Sequence, residues 1–245
     1  MDVLSIGNSF SNDGQRYLNQ IAKADGVHLG AYNLYIGGCS LSMHYRNVLK
    51  DAKAYNLVVN GANTGFKVSI EEALLNRDWD VITFQQASGW STKPDSYQPY
   101  LDEIVALARK CCPKAKIVIH QTWAYEQDSE KLEKTGYGTR SEMFADIKKA
   151  YKKAAAEIGA DMVIPSGEVF EKLLASGVES VQRDTFHASY GLGRYALGLT
   201  WYKILTGNDI SGNTFCDFDE EVTPEQMELA KKCVAEVCEK YENQK

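Results

Sequence analysis

No apolar run in this sequence approaches the roughly 18–20 residues that cross a membrane. Cysteine offers no framework either. Six in 245 residues, with no CxxC pair, are too few and too scattered for a disulfide scaffold and fit a reduced compartment. Basic charge is in deficit: 27 Lys and Arg against 33 Asp and Glu leave a net charge of −6. A surface that condenses on nucleic acid or anionic lipid is therefore not expected. The four histidines include no HExxH or paired metal spacing, so no metal site is expected. Phosphate loops of the GxxxxGK[ST] or GxGxxG type are missing as well, and no organic cofactor is expected. The start has no basic stretch followed by an apolar core and a small-residue cleavage site. The expectation is a cytoplasmic protein, or a secreted one whose leader lies outside this sequence.

What is present is an ordinary globular composition, 44% hydrophobic and 24% charged, which excludes disordered and low-complexity classes. Five short Val/Ile-rich runs read as strands buried on both faces: Val3–Ile6, Ala31–Ile36, Asp80–Phe84, Lys116–His120 and Asp161–Ile164. Between them lie amphipathic stretches. Asn12 to Ala24 stops at the C-cap residue Gly26, and Leu41 to Ala52, Tyr97 to Cys111 and Ser141 to Ile158 follow. A last helix opens with Thr223, Pro224 and Gln226 as N-cap, first helical residue and third-position partner. Strands alternating with helices predict one α/β domain over residues 1–245. Its architecture would be a three-layer α/β/α sandwich on a mostly parallel, five-stranded, flavodoxin-like sheet. Tyr55 to Ile70, with a Gly/Asn-rich turn, predicts a small β-hairpin inserted before the third strand. Tyr125 to Arg140 reads as a long surface loop and a candidate lid.

Sites in open parallel sheets form at the carboxyl ends of the strands. After the first strand comes Gly7-Asn8-Ser9-Phe10-Ser11. Alone, Ser9, Ser11 and Asn12 read as helix caps. Near the other end lies Asp184-Thr185-Phe186-His187, which alone reads as a local hydrogen bond. If the sheet brings both to one rim, Ser9, His187 and Asp184 become nucleophile, general base and orienting carboxylate.

The GNSFS segment, the Gly37-Gly38 turn, the amides of Gln85 and Gln86 after the third strand and the terminal DxxH together resemble the SGNH (GDSL-like) hydrolase superfamily. The likeness is to its GNS-type carbohydrate-esterase branches, and the ordered blocks span Ile6 to His187. The resemblance implies catalytic Ser9, Asp184 and His187. It also implies an oxyanion hole from the N–H groups of Ser9 and Gly38, with Gly37 the alternative. The family's third-block Asn is replaced here. The expectation is that a Gln amide takes its place, Gln86 favoured over Gln85.

Gln121, Trp123 and Trp90 follow strands and are candidate substrate contacts. His28, His44 and His120 read as surface or structural, Cys39 as a packing residue, Cys111 and Cys112 as free thiols, and Trp201 and Tyr125 as core aromatics. The implied activity is a serine esterase acting on small acyl esters, with O-acetylated carbohydrate the favoured substrate. The rivals are a lysophospholipase or thioesterase on the same fold, and a non-catalytic carbohydrate-binding relative.

Overall fold

The computed structural model describes residues 1–242. Its strands are β1 (Asp2–Gly7), β2 (Gly30–Tyr35), β3 (Tyr55–Val59), β4 (Ala62–Val68), β5 (Val81–Phe84), β6 (Lys116–Gln121) and β7 (Met162–Pro165). Its helices are α1 (Ser9–Gln15), α2 (Leu18–Ala24), α3 (Leu41–Leu49), α4 (Ile70–Leu75), α5 (Tyr100–Cys111), α6 (Glu130–Thr135), α7 (Arg140–Glu157), α8 (Ser166–Ala175), α9 (Leu192–Thr206) and α10 (Pro224–Glu242). The strands form one sheet in the order β4-β3-β2-β1-β5-β6-β7.

Five of them, β2-β1-β5-β6-β7, run parallel. Successive strand residues point to opposite faces, so each buried strand feeds two cores. Val3 and Val81 pack under α1, α2, α8, α9 and α10. Leu4, Ile6, Ile82 and Phe84 pack under α3, α4, α5 and α7. That is the anticipated α/β/α sandwich.

The sheet has seven strands rather than five, because the hairpin is no separate ribbon. Its first strand, β3, joins β2 antiparallel, with Tyr32 opposite Val59. The two-residue turn Asn60-Gly61 has φ of 51° and 79°, which an Asn-Gly pair tolerates and which matches strand twist. Asn60 also exchanges bonds with Ala31: its N–H donates to Ala31 O at 2.7 Å, and its Oδ1 accepts from Ala31 N at 2.9 Å. The turn is thus sewn to β2, and the hairpin continues the sheet.

Two other expectations change. The first helix starts at Ser9 and breaks at Arg16–Tyr17 instead of running unbroken from Asn12 to Ala24. Tyr17 is buried and its hydroxyl, which accepts from Asp219 N at 2.7 Å, also donates to Tyr190 O. That anchorage outweighs helix continuity. The segment from Tyr125 to Arg140 is not a bare surface loop: Tyr125 and Leu132 are buried, and α6 lies within it. The last helix keeps its capping box, with Thr223 Oγ1 accepting from Gln226 N at 3.3 Å and Thr223 N donating to Gln226 Oε1 at 2.9 Å. Among the described residues, no helix is long and apolar enough to cross a membrane.

Candidate active site

From β1 the chain goes outward on one side through β2, β3 and β4, then returns to build β5, β6 and β7 on the other. The carboxyl end of β1 is therefore the point where strand order reverses, the place where such sheets leave a crevice. Gly7 ends β1 in a turn so tight that a Cβ there would lie 2.2 Å from Ser11 Oγ. Asn8 is the N-cap of α1, with Oδ1 accepting from Phe10 N at 3.0 Å and its own N–H donating to Ser11 Oγ at 3.1 Å. Asn8 thus takes the capping duty, and Ser9, the first helical residue, is released from it.

The hydroxyl of Ser9 lies 2.8 Å from His187 Nε2, across 178 positions of sequence. The other ring nitrogen, Nδ1, is 2.7 Å from Asp184 Oδ2. A carboxylate only accepts, so Nδ1 carries the ring proton and Nε2 is free to accept from Ser9. Asp184 Oδ1 accepts from His187 N at 2.7 Å. Burial pushes the Asp184 carboxyl up, but the hydrogen bonds and charge of His187 outweigh it and hold the group below its usual value.

Between them, Thr185 has φ of +67°, a left-handed conformation that a β-branched residue rarely adopts and that costs on the order of 1–3 kcal/mol. The segment ahead of α6 holds it there. Glu126 N donates to Thr185 O at 2.8 Å, and Ser129 Oγ meets Thr185 Oγ1 at 2.8 Å. The expected lid is, in this structure, a brace for the Asp-His loop.

A larger brace escaped the sequence reading. Asp13, four residues beyond Ser9 on α1, is 1% exposed. It accepts from Arg183 Nη1 at 3.1 Å, Arg194 Nε at 2.8 Å and Ala188 N at 3.2 Å. Arg194 continues to Asp219, which also binds Arg16. The helix that presents Ser9 is thereby tied to both sides of His187. An Asp on a short helix gives no sign of this, since its partners lie more than 150 residues away; the only signal was a charged residue on what becomes a buried face.

The Gly37-Gly38 turn closes with Cys39 N donating to Ile36 O at 3.2 Å, and Gly38 has φ of +64°. Asn8 Nδ2 donates to Cys39 O at 3.1 Å and draws this turn against the start of α1. The N–H groups of Ser9 and Gly38 have no hydrogen-bond partner among the described residues.

The two glutamines depart from expectation. Gln86 donates from Nε2 to Ser96 O at 3.0 Å and Ser96 Oγ at 3.1 Å, and its oxygen accepts from Leu41 N and Ala87 N. It is buried and saturated, a strut between loops and not an oxyanion donor. Gln85 is also buried, its Nε2 2.6 Å from Asn8 Oδ1 and its Oε1 2.7 Å from His120 Nδ1.

Among the candidate substrate contacts, Trp123 is completely buried, stacked on Phe10 at 4.1 Å with its N–H donating to Phe186 O. It packs beneath the segments that carry Ser9 and His187, with no surface open to solvent. Gln121 is buried too and faces the groove lined by Lys148, Glu168 and Tyr241, away from Ser9. Trp90 is 50% exposed in the loop after β5, with Lys93 over its ring. Tyr190, 43% exposed, is an aromatic the sequence reading passed over. Cys39 is a buried thiol pushed up to about 12 by desolvation, so it is no nucleophile. His44 and His120 are buried, and desolvation lowers each to about 3. His28 is on the surface, and Trp201 and Tyr125 are buried as expected. Among the described residues no group of three His, Cys, Asp or Glu side chains is placed to hold a metal ion.

Comparison with known proteins follows the same lines. A DUF4886 family protein from Bacteroides uniformis is 31% identical and superposes with a TM-score of 0.90, over 100% of this chain and 96% of that one. A protein from Slackia heliotrinireducens assigned to the SGNH hydrolases is 22% identical, with a TM-score of 0.61 over 84% of this chain and 98% of that one. Axe2, an acetylxylan esterase from Geobacillus stearothermophilus, is 13% identical, with a TM-score of 0.53 over 82% of this chain and 90% of that one. No curated protein matches the sequence. Residues 2–237 match the family described as a domain of unknown function, DUF4886. The chain belongs to the DUF4886 family and carries the α/β/α fold of the SGNH hydrolases.

Proposed function

We propose that this protein is a serine esterase that hydrolyses small acyl esters, with acetyl groups on a carbohydrate as the favoured substrate. The observation that carries the reading is the contact of Ser9 Oγ with His187 Nε2 at 2.8 Å, backed by Asp184 on the far side of the ring. Nε2 takes the Ser9 proton as the hydroxyl oxygen attacks the ester carbonyl carbon. The carbonyl electrons move to oxygen, and the oxyanion accepts from the N–H groups of Ser9 and Gly38. A donor of this kind is worth about 3–4 kcal/mol, roughly 10²–10³ in rate. Collapse breaks the bond to the alcohol, which leaves with the proton from His187. Water then repeats the sequence on the acyl-enzyme, His187 taking its proton and returning it to Ser9.

The carbohydrate preference rests on two exposed rings, Trp90 in the loop after β5 and Tyr190 three residues beyond His187. Flat rings of this kind stack on the apolar face of a sugar. Axe2, which shares the fold, is an acetylxylan esterase.

The test is hydrolysis of p-nitrophenyl acetate and of acetylated xylo-oligosaccharide by the wild type and by Ser9→Ala. The expected loss on substitution is at least about 10³-fold on both. Equal turnover by the two proteins would overturn the assignment of Ser9. Sugar binding without Ser9-dependent turnover would favour the carbohydrate-binding alternative.

A further inference from the structure

Behind the nucleophile turn lies a row of polar side chains that the proposed reaction does not use. Ser166, at the start of α8, places Oγ 2.9 Å from His120 Nε2. His120 Nδ1 is 2.7 Å from Gln85 Oε1, Gln85 Nε2 is 2.6 Å from Asn8 Oδ1, and Asn8 Nδ2 is 3.1 Å from Cys39 O. None of these five residues is more than 2% exposed.

The direction of every bond in the row follows from its fixed end. The backbone N–H groups of Phe10 and Ser11 point at Asn8 Oδ1, and a backbone donor cannot be reversed. Asn8 must therefore present oxygen to the helix and nitrogen to Cys39 O. Gln85 must then present its nitrogen to Asn8 and its oxygen to His120. The His120 proton is consequently on Nδ1, and Nε2 accepts from Ser166. Burial lowers the ring to about 3, so it stays neutral at working pH and keeps that tautomer.

A buried polar row is costly where apolar side chains would pack as well, unless every member is satisfied. Here all are satisfied, and the row ends between the two turns that supply the Ser9 and Gly38 N–H groups. Asn8 is covalently next to Ser9, and its side chain grips the carbonyl of the residue after Gly38. With Gln86 committed to Ser96, the third-strand amide reaches the site only through Asn8.

We propose that Gln85 and His120 are positioning residues: they hold in place the Asn8 amide, whose direction the α1 backbone sets, and so keep the turns that carry the Ser9 and Gly38 N–H groups side by side. This rests on the esterase reading above. The third-strand amide, which in the resemblance would donate to the oxyanion, here orients the two backbone groups that do.

The experiment measures kcat, KM and pH profile for Gln85→Leu, His120→Phe and the double variant, with melting temperature as a control. Loss of positioning by a fraction of an ångström lowers kcat roughly 10–100-fold in each single variant, with KM within about twofold. The acid limb of the pH profile stays in place, because His187 is untouched. The double variant is no slower than the slower single, since both break one linkage. His120→Gln, whose amide can again donate to Gln85 Oε1, recovers most of the rate and guards against a fold effect. Wild-type kcat in both single variants, additive losses in the double, or no recovery with His120→Gln would overturn the proposal. Absence of Ser9-dependent turnover in the wild type would instead overturn the esterase reading beneath it.

Discussion

Asp13 shows how much a single side chain carries here. A carboxylate 1% exposed, with two guanidinium groups and a backbone N–H on it, is paired on every side. Removing one partner of such an array leaves buried charge uncompensated, which costs about 3–5 kcal/mol. Asp13→Ala should lower unfolding free energy by that much in urea titration and slow catalysis, because Ala188 and hence His187 lose their tie to α1. A change under about 1 kcal/mol, the worth of an exposed pair, would mean the array is solvated in practice. At the same scale, Asp184 titrates below the usual carboxylate range, its upward push from burial outweighed by His187. It therefore keeps its charge below the pH at which a free carboxyl takes up a proton. As pH falls, kcat/KM should drop through one proton only, the one that occupies Nε2 and ends its capacity as a base. Initial rates on p-nitrophenyl acetate check this; a two-proton acid limb would show Asp184 titrating with His187.

Among elements, α9 packs closely against the segment that leads to His187. Gly193 in its first turn faces the segment that carries His187: a Cβ there would lie 2.3 Å from Val181 O. Backbone cannot give way as a flexible side chain can. Gly193→Ala should push the helix off the 181–188 segment, costing about 1–3 kcal/mol and lowering kcat more than KM. Thermal unfolding and steady-state kinetics together read this out. Gly198→Ala on the same helix crowds Ile21 Cδ1, a side-chain tip, at 2.7 Å, with Tyr17 Cβ and Leu18 N at ordinary contact, and should be milder. The elements themselves were readable to differing degrees. The five parallel strands fell within one or two residues of their expected bounds, since Val/Ile runs buried on both faces have few other uses. The break at Arg16–Tyr17 was not readable, because Asp219 and Tyr190, which cause it, lie far along the chain.

For the whole molecule, the seven strands share one sheet, and its parallel strands β2-β1-β5-β6-β7 feed both cores. We propose that the chain is a single domain, so unfolding in denaturant should be one transition, coincident by fluorescence and circular dichroism. The six cysteines are free thiols, and Cys216 is the one exposed. Reductant should therefore leave the melting temperature unchanged. Separate transitions, or a melting temperature that falls with reductant, would count against a thiol-bearing single domain.

The sequence alone determined the layered α/β plan and the strand positions and singled out Ser9, Asp184 and His187 as candidates, because these depend on local patterning and short motifs. Tertiary structure decided whether the motifs meet. It also turned the hairpin into an extension of the sheet, buried Trp123 and Gln121, and set Gln86 as a strut. The reason is common to all of these: a side chain's partner across a sheet or between loops is chosen by packing over long sequence separations. A residue's chemical type says what it can bond, and only the fold says to whom.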